Sequence, residues 1–318
     1  MAAIRHTTTA FLGLGQMGYP IAANVCAKYH RDSGKEMLVW NRTTAKADKH
    51  ALQHGTIVLD DNFRALQQAS ILFLCLPTSD EVTTTLQRAS PYLRRGSVVI
   101  DLSSGHPVQS RKLADWLRDF YDITFIDCAV SGGPAGAAKG TVAAFVGCDD
   151  ESVVASVLPM IGAFATNIVH LGPASAGHAT KAINNVMNTT NMLVAADGLL
   201  ALKKLGVDPA KALSVINTAS GRSLMSMQRL PEEVLSGDFA YGFKLGLMRK
   251  DVKIANDILD NHYSSATIFR ETLRLMDDAL EKVSGVNEES DYTEACKLLE
   301  LKAGVTLRTS TPIEFKKK

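Results

Sequence analysis

The sequence lacks the features that mark a membrane-spanning or secreted protein. No apolar run approaches the ~20 residues that a membrane-spanning helix needs, and Met1–Ala10 has no apolar core typical of a secretory signal. The five cysteines are widely scattered and never form a Cys-x-x-Cys pair. This pattern disfavours a disulfide framework and a zinc site, so we interpret the cysteines as reduced core thiols and expect no metal. The expected location is the cytoplasm.

The sequence also has almost no excess charge. Lys and Arg number 34 against 33 Asp and Glu, a formal net charge of +1. No overall field therefore attracts the chain to nucleic acid or to an anionic membrane, and we expect a small-molecule partner instead. With 46% hydrophobic and 21% charged residues the chain can bury a sizeable core. Its 318 residues suggest two domains.

Short apolar segments alternate with helical patterns up to about residue 171. The predicted strands are Ala10–Leu14, Met37–Trp40, Ile71–Leu76, Val98–Leu102, Thr124–Cys128 and Val142–Val146. This alternation predicts βαβ units and a mainly parallel sheet. After Gly172-Pro173 only helical periodicity remains, beginning with a proline-free segment from about Ala174 to Leu205. We therefore predict an α/β Rossmann-type domain over residues 1–172 and an all-α domain over residues 173–318.

A glycine-rich segment, Gly13-Leu14-Gly15-Gln16-Met17-Gly18, follows the first strand and opens a helical stretch. In this context Gly13 would permit a tight turn, Gly15 would let the backbone approach a pyrophosphate, and Gly18 would allow close packing of helix and strand. The helix N-terminus would stabilise the phosphate charge. The segment predicts dinucleotide binding, with an ordinary glycine turn as the alternative.

The second strand ends in Asn41-Arg42-Thr43, where a NAD-binding site usually carries an acidic residue for the ribose 2′-OH. No carboxylate stands there to repel a 2′-phosphate, and the Arg42 guanidinium can bind one. We therefore predict NADP as the preferred cofactor, with NAD as the alternative. The alternative is that Arg42 is a solvated surface residue.

A second glycine-rich segment, Ser131-Gly132-Gly133, follows the predicted strand Thr124–Cys128 and continues with small residues to Gly140. A loop of this kind leaves backbone N–H groups exposed beside a hydroxyl, which makes an anion nest suited to a carboxylate. A plain tight turn before the next strand explains the same residues.

The segment from Gly177 to Asn191 has an unusual polar stripe. In a helix Lys181 lies one turn from Asn184 and Asn185, and Asn188 and Asn191 continue the stripe. Asparagine is a poor residue for a helix interior, so the stripe indicates the wall of a site. An internal amide network between helices is the alternative reading for the asparagines.

The other residues of this segment complete the prediction. The opposite face is apolar: Ala182, Ile183, Val186, Met187, Leu193 and Val194. Gly177 has no Cβ and would let a flat ring or a substrate come close. His178 points elsewhere on the helix, and we expect it to be structural or exposed rather than a base.

Seven blocks, in order along nearly the whole chain, resemble the β-hydroxyacid dehydrogenases, the family of 3-hydroxyisobutyrate dehydrogenase. They are Gly13–Asn24, Val39–Arg42, Leu76-Pro77, Asp101–Pro107, Asp127–Pro134, Gly177–Asn185 and Phe243–Asp251. The resemblance implies hydride transfer between NAD(P) and a small β-hydroxy acid or semialdehyde acid. It also implies an active site between a Rossmann-type domain and a helical domain, and a homodimer or homotetramer.

Matched position by position, the resemblance assigns roles to individual residues. Lys181 would be the general acid and base, and Asn185 would bind the substrate and fix the Lys181 rotamer. Ser131, Gly132 and Gly133 would bind the substrate carboxylate. Further cofactor contacts would come from Leu76, Pro77, Ser104, Phe243 and Lys250. Proton transfer favours a pKa near the working pH, so we expect the Lys181 pKa to lie below its usual value of about 10.4.

Several alternatives stay open at this point. The chain could be another reductase of the superfamily, such as a 6-phosphogluconate dehydrogenase or an imine reductase, or a non-catalytic NADP-binding scaffold. Candidate substrates are 3-hydroxyisobutyrate, tartronate or succinic semialdehyde with their alcohols, and sugar acids such as threonate. The reaction direction is open too. Within Ser220–Ser223, Arg222 either reaches a substrate or lies exposed beside a helix cap.

Overall fold

The computed structural model describes residues 8–30, 36–262 and 267–308. Residues 1–7, most of the amino-terminal segment considered above, lie outside the described residues. The chain divides into two compact units, Met1–Lys181 and Ala182–Lys318. The described part of each unit has its own hydrophobic core.

The first unit contains a sheet of eight strands in the order β3-β2-β1-β4-β5-β6-β7-β8. The strands are β1 Thr9–Leu12, β2 Met37–Trp40, β3 Ile57–Val58, β4 Ile71–Leu74, β5 Val98–Asp101, β6 Thr124–Ser131, β7 Val142–Gly147 and β8 Ala165–His170. All neighbours pair in parallel except β6 and β7, which are antiparallel. The predicted mainly parallel sheet is therefore confirmed, and the prediction missed β3 and β8.

Helices cover both faces of this sheet, which explains why its central strands are apolar throughout. Phe11 and Phe73 belong to one core, whereas their strand neighbours Leu12 and Leu74 belong to the other. The helices of the first unit are α1 Gly18–Tyr29, α2 Thr44–His54, α3 Ser79–Ala89, α4 Pro107–Tyr121, α5 Gly133–Lys139 and α6 Glu151–Ile161. Short 3₁₀ helices span Arg64–Gln68 and Ser90–Tyr92.

The direction of chain progression reverses beside β1. The chain moves from β1 outward through β2 and β3, and then returns to place β4 on the other side of β1. In open α/β sheets, ligands bind at such a switch point, outside the carboxyl ends of the strands. The glycine-rich segment after β1 and Leu76-Pro77 after β4 flank this position.

The second unit is helical, as predicted. Its long helix α7, Ala176–Lys204, begins in the first unit and lies within two residues of its predicted ends. The remaining helices are α8 Pro209–Ile216, a π-helix Met225–Leu235, α9 Leu245–His262, α10 Ile268–Lys282, the 3₁₀ helix Tyr292–Ala295 and α11 Cys296–Ala303. Over residues 182–262 and 267–308 the structure contains no strand, only an isolated bridge between Lys244 and Asp291. None of the described helices is long and apolar enough to cross a membrane.

The compact first unit extends past the boundary predicted at Gly172-Pro173. Its last residue is Lys181, because the first turn of α7 packs against the sheet. The predicted apolar face of α7 is only partly buried. Ala182, Val186 and Leu193 are buried, whereas Met187 and Val194 are 53% and 67% exposed.

Candidate active site

The glycine-rich segment forms a tight turn between β1 and α1. Gly13 has φ +103°, and a Cβ there would collide with the Cys75 carbonyl, whereas a Cβ on Gly18 would collide with the Gly13 carbonyl. Nothing lies within 4 Å of the position that a Cβ on Gly15 would take. The turn is thus closed on the sheet side and open at Gly15. A pyrophosphate at the N-terminus of α1 needs this arrangement.

Asn41 and Arg42 lie beside this turn. The Leu14 N–H donates to Asn41 Oδ1 at 2.9 Å, which ties the glycine-rich segment to the end of β2. Arg42 is exposed, and its guanidinium pairs with Glu81 Oε1 at 3.2 Å. Glu81 lies in the first turn of α3, where its backbone N–H donates to the Thr78 hydroxyl. The end of β2 itself has no carboxylate, as the sequence indicates, but Glu81 from α3 brings one to Arg42.

The segments after β4 and β5 are joined by a serine that the sequence analysis did not single out. The Leu76 N–H donates to Ser103 Oγ at 2.9 Å, and the Ser103 N–H donates to Asp101 Oδ1 at 3.0 Å. The predicted cofactor residue Ser104 is half-buried next to it. Because carboxyl ends of parallel strands meet at one edge, the predicted contacts after β1, β2, β4 and β5 share an edge of the sheet. The residues present there fit a dinucleotide.

Ser131 ends β6 at this same edge, but the following segment is not the predicted open loop. Gly132 and Gly133 have φ +145° and +65°, and the chain then enters helix α5. The Gly136 N–H donates to the Gly132 carbonyl within that helix. The small residues Gly136, Ala137 and Ala138 allow the helix, so most of the backbone N–H groups predicted to be exposed are not. Ser131 itself is half-buried and Gly132 is exposed.

The start of α7 packs closely on β6 and β7. A Cβ on Gly177 would lie 2.8 Å from the Asp127 carbonyl oxygen and closer still to that of Phe145. The expectation that Gly177 makes room for a ring or substrate was therefore wrong, because strand backbone fills that space. His178 is buried, with Nδ1 2.6 Å from Ser110 Oγ, and this agrees with the predicted structural role.

Lys181 is half-buried on α7, one turn before Asn185. Asn185 is held at both ends of its amide: Nδ2 donates to Asp251 Oδ2 at 2.6 Å, and Oδ1 accepts from Asn184 Nδ2 at 3.1 Å. Asp251 is 1% exposed, and its other oxygen lies 3.1 Å from Lys250 Nζ. Asp251 thus connects a predicted substrate ligand to a predicted cofactor ligand. Asp251 is the last residue of the block Phe243–Asp251, but nothing in its residue type or spacing predicts this contact.

Asn188, like Asn185, is bonded to a side chain from another helix of the second unit. Asn188 Oδ1 accepts a hydrogen bond from the buried Tyr292 hydroxyl at 3.3 Å, as the internal-network reading expects, and Asn191 is exposed. Of the two readings of Arg222, the structure agrees with the cap. Ser223 Oγ accepts from the Ser226 N–H at 3.1 Å at the start of the π-helix, and Arg222 is exposed.

The cysteines and Phe243 complete the predicted set. None of the five cysteines, all in the described part of the chain, forms a disulfide, and four of them are buried. Cys75 is half-buried beside the glycine-rich segment, and burial raises its thiol pKa to about 12. In the part of the chain that the structure describes, no group of three or more His, Cys, Asp or Glu could hold a metal ion. Phe243 is half-buried and lies 6.0 Å from the Tyr292 ring, centroid to centroid.

Two family models match the chain in succession. The model described as the NAD binding domain of 6-phosphogluconate dehydrogenase matches residues 8–172. The model described as the NAD-binding of NADP-dependent 3-hydroxyisobutyrate dehydrogenase matches residues 175–299. Together they cover both units, in the order that the family resemblance implied.

Individual proteins agree with the family models. A 2-(hydroxymethyl)glutarate dehydrogenase from Eubacterium barkeri is 31% identical over 248 residues, which are 77% of this chain and 80% of that protein. A probable 3-hydroxyisobutyrate dehydrogenase from Mycobacterium tuberculosis is 30% identical over 79% of this chain and 85% of its own length. The structure of the Mycobacterium tuberculosis 3-hydroxyisobutyrate dehydrogenase with L-serine superposes with a TM-score of 0.82 at 27% identity. The superposition covers 92% of this chain and 99% of the Mycobacterium tuberculosis chain.

These matches extend over most of both units and agree with the seven sequence blocks. They support an oxidoreductase that uses a nicotinamide cofactor. The chain belongs to the β-hydroxyacid dehydrogenase family.

Proposed function

We propose that this chain is an NADP-preferring dehydrogenase of a small β-hydroxy acid or the corresponding semialdehyde acid, similar to 3-hydroxyisobutyrate. The observation that carries the proposal is the pair on α7, where Lys181 lies one turn from Asn185 and a buried Asp251 holds the Asn185 amide at 2.6 Å. A held amide beside an amine can bind a hydroxyl or carbonyl oxygen and exchange a proton with it.

In the proposed reaction, Lys181 Nζ takes the proton of the substrate hydroxyl during oxidation and returns a proton to the carbonyl oxygen during reduction. The nicotinamide, when bound, supplies or accepts the hydride. Ser131 and the backbone of Gly132 and Gly133 bind the substrate carboxylate, which orients the reacting carbon. Asn185 donates to the substrate oxygen and keeps the Lys181 side chain in place.

The cofactor preference depends on Arg42. An exposed guanidinium at the end of β2 can bind a 2′-phosphate, and its pair with Glu81 contributes little because both groups are solvated. We propose that Arg42 moves from Glu81 to the phosphate when NADP binds. Leu76, Pro77, Ser104, Phe243 and Lys250 complete the proposed cofactor contacts.

The first test is the oxidation of NADPH and of NADH with a panel of three- and four-carbon semialdehyde acids. Turnover with NADPH on one of them would support the reaction class and identify the substrate. If NADPH binds but no member of the panel reacts, a sugar-acid substrate of the threonate type becomes the better hypothesis and is tested in the oxidative direction. If the sugar acids are not turned over either, a non-catalytic NADP-binding scaffold becomes the favoured hypothesis.

Removal of the proton-transfer group gives the corresponding mutational prediction. We expect Lys181→Ala to lower kcat by about 10²–10⁴-fold, because general acid–base catalysis contributes that range. Binding of NADPH should change little. The control is Lys204→Ala, since Lys204 is an exposed lysine on the same helix. Near-normal turnover of Lys181→Ala would rule out the assigned role.

The state of assembly belongs to the same proposal. The family resemblance implies a homodimer or homotetramer, and we propose that the chain forms one of them in the cytoplasm. Sedimentation velocity of the purified chain distinguishes dimer, tetramer and monomer.

A further inference from the structure

Asp127 caps the helix that carries Lys181. It lies on β6, it is fully buried, and each of its carboxylate oxygens accepts one backbone hydrogen bond from the start of α7. Oδ1 accepts from the Ser175 N–H at 2.6 Å, and Oδ2 accepts from the His178 N–H at 2.7 Å. An N-cap side chain usually belongs to the residue before the helix. Here a strand of the sheet supplies it.

At two glycines the backbone packs so closely against this carboxylate that no Cβ would fit. A Cβ on Gly177 would lie 2.9 Å from Asp127 Oδ2. A Cβ on Gly147 of β7 would collide with Asp127 Oδ1 and lie 2.9 Å from the Ala176 N–H nitrogen. Ser175, between them in the chain, adopts φ +98°, an uncommon backbone for a residue with a side chain. The start of α7 is therefore fixed against β6 and β7 with little freedom to shift.

The charge on Asp127 is costly in this position. Burial raises its pKa, and the neighbouring His178 opposes that change. Asp101, the register partner of Asp127 on β5, adds a second buried carboxylate, 3.9 Å from His178 Nε2. Ser110 from α4 lies against the other ring nitrogen of His178. A neutral cap such as serine would avoid this cost, so stability alone does not explain a carboxylate here.

The same strand also carries the proposed carboxylate ligand. Asp127 and Ser131 lie four residues apart on β6, so their side chains share a face of the sheet. Lys181 follows the capped His178 by three residues on α7. Ser131, β6, the Asp127 cap and the first turns of α7 thus form one continuous rigid connection inside the first unit.

We propose that Asp127 is a positioning residue that fixes the proton-transfer amine of Lys181 relative to the carboxylate-binding turn at Ser131. The inference rests on the proposed function, since it assumes that Lys181 and Ser131 act on one substrate. Misplacement of a catalytic group by about 1 Å can lower a rate by about 10²-fold, so the cap would matter to the rate more than to cofactor binding.

The test is the full-length Asp127→Asn variant, assayed with the substrate that the panel identifies. Asparagine keeps the size of the side chain but offers one acceptor where two N–H groups point. We expect kcat to fall by about 10²-fold with little change in the Kd for NADPH. The loss of a negative charge and of the cap also leaves the positive end of the helix uncompensated, which lowers the pKa of a nearby ammonium. The pH profile of kcat should therefore shift to lower pH.

A matched control is available in the same unit. Asp150 caps α6, where its Oδ1 accepts from the Ser152 N–H at 2.8 Å. Asp150→Asn should lower the melting temperature but leave kcat and its pH profile unchanged. If Asp127→Asn does not fold, Asp127→Ser, which is smaller and retains one hydroxyl acceptor, is expected to show the same kcat loss.

The outcomes separate the two proposals. An inactive parent protein overturns the proposed function and this inference with it. If the parent is active, a variant at Asp127 that keeps kcat within about twofold and keeps the parental pH profile overturns only the inference. A large kcat loss with the shifted profile, absent from the Asp150 control, supports the positioning role.

Discussion

At the scale of single residues, the proposed cofactor preference involves an ion pair between two residues far apart in the chain. Arg42 follows β2, but its partner Glu81 belongs to the first turn of α3, almost forty residues later. A 2′-phosphate that binds Arg42 must displace this carboxylate and then remain near it. At the protein surface such a repulsion between two negative groups is worth about 1 kcal/mol.

We therefore expect Glu81→Gln to improve the affinity for NADPH relative to NADH by about fivefold, the equivalent of about 1 kcal/mol. Glutamine keeps the capping pattern with Thr78. Titration of nicotinamide fluorescence with both cofactors measures the ratio. Asp80→Asn is the control, since it removes the same charge from the same turn but Asp80 contacts Gln109 rather than Arg42. Equal ratios for the two variants would show that the contact with Arg42 is irrelevant.

The residues of the candidate site differ in how far the sequence could identify them. Gly13, Lys181 and Asn185 were predicted as site residues because their residue types and spacing indicate that chemistry. Glu81 and Asp251 were not, because their roles come from contacts with residues far away in the chain. Gly177 was identified but misread, since the absence of a Cβ does not say whether a ligand or a strand fills the space.

At the scale of elements, the predicted strands were those with apolar residues on both faces. The missed strand β3 has only two residues, and β8, the last strand of the sheet, is largely exposed and includes Thr166 and Asn167. Neither produces the apolar run that marks a central strand. Helix α5 was missed because its sequence is rich in glycine and alanine, which reads equally well as a loop.

The contact between α7 and the sheet gives a prediction about helix packing. Gly177→Ala would place a methyl group into the backbone of β6 and β7, so we expect it to lower the free energy of unfolding by at least about 2 kcal/mol. Gly198→Ala on the same helix has nothing within 4 Å of the new methyl group and should raise stability by about 0.5–1 kcal/mol. Urea unfolding of both variants measures the difference. Similar effects of the two substitutions would contradict the close contact.

At the scale of the whole molecule, the sequence indicated an α/β unit followed by a helical one. It did not reveal the strand order, because parallel strands that are equally apolar carry no sign of which neighbour each will pair with. Nor did it show that the first turns of α7 pack with the sheet. That arrangement depends on Asp127 and Gly177, which lie fifty residues apart in the chain.

The stability of the first unit should depend on pH through a buried histidine. His50 on α2 is fully buried, with Nδ1 2.9 Å from Thr56 Oγ1 and its ring 4.7 Å from that of Tyr19 on α1. Burial, with a smaller contribution from the charge of His54, lowers the pKa of His50 from 6.5 to about 4. Between pH 6.5 and 4 the unfolded chain binds a proton at this residue that the folded chain does not. Stability from this group is therefore complete above pH 6.5 and decreases as the pH falls toward 4.

We expect the free energy of unfolding of the parent protein to fall by about 1–2 kcal/mol more between pH 7.5 and pH 5 than that of His50→Gln. Urea unfolding followed by tryptophan fluorescence is suited to this test, because both tryptophans, Trp40 and Trp116, lie in the first unit. His262→Gln, at an exposed histidine of the second unit, should keep the parental pH dependence. The glutamine at position 50 will itself destabilise the unit, so the comparison is between the pH dependences and not between absolute stabilities. An unchanged pH dependence in His50→Gln would mean that other groups control the acid sensitivity of the sheet.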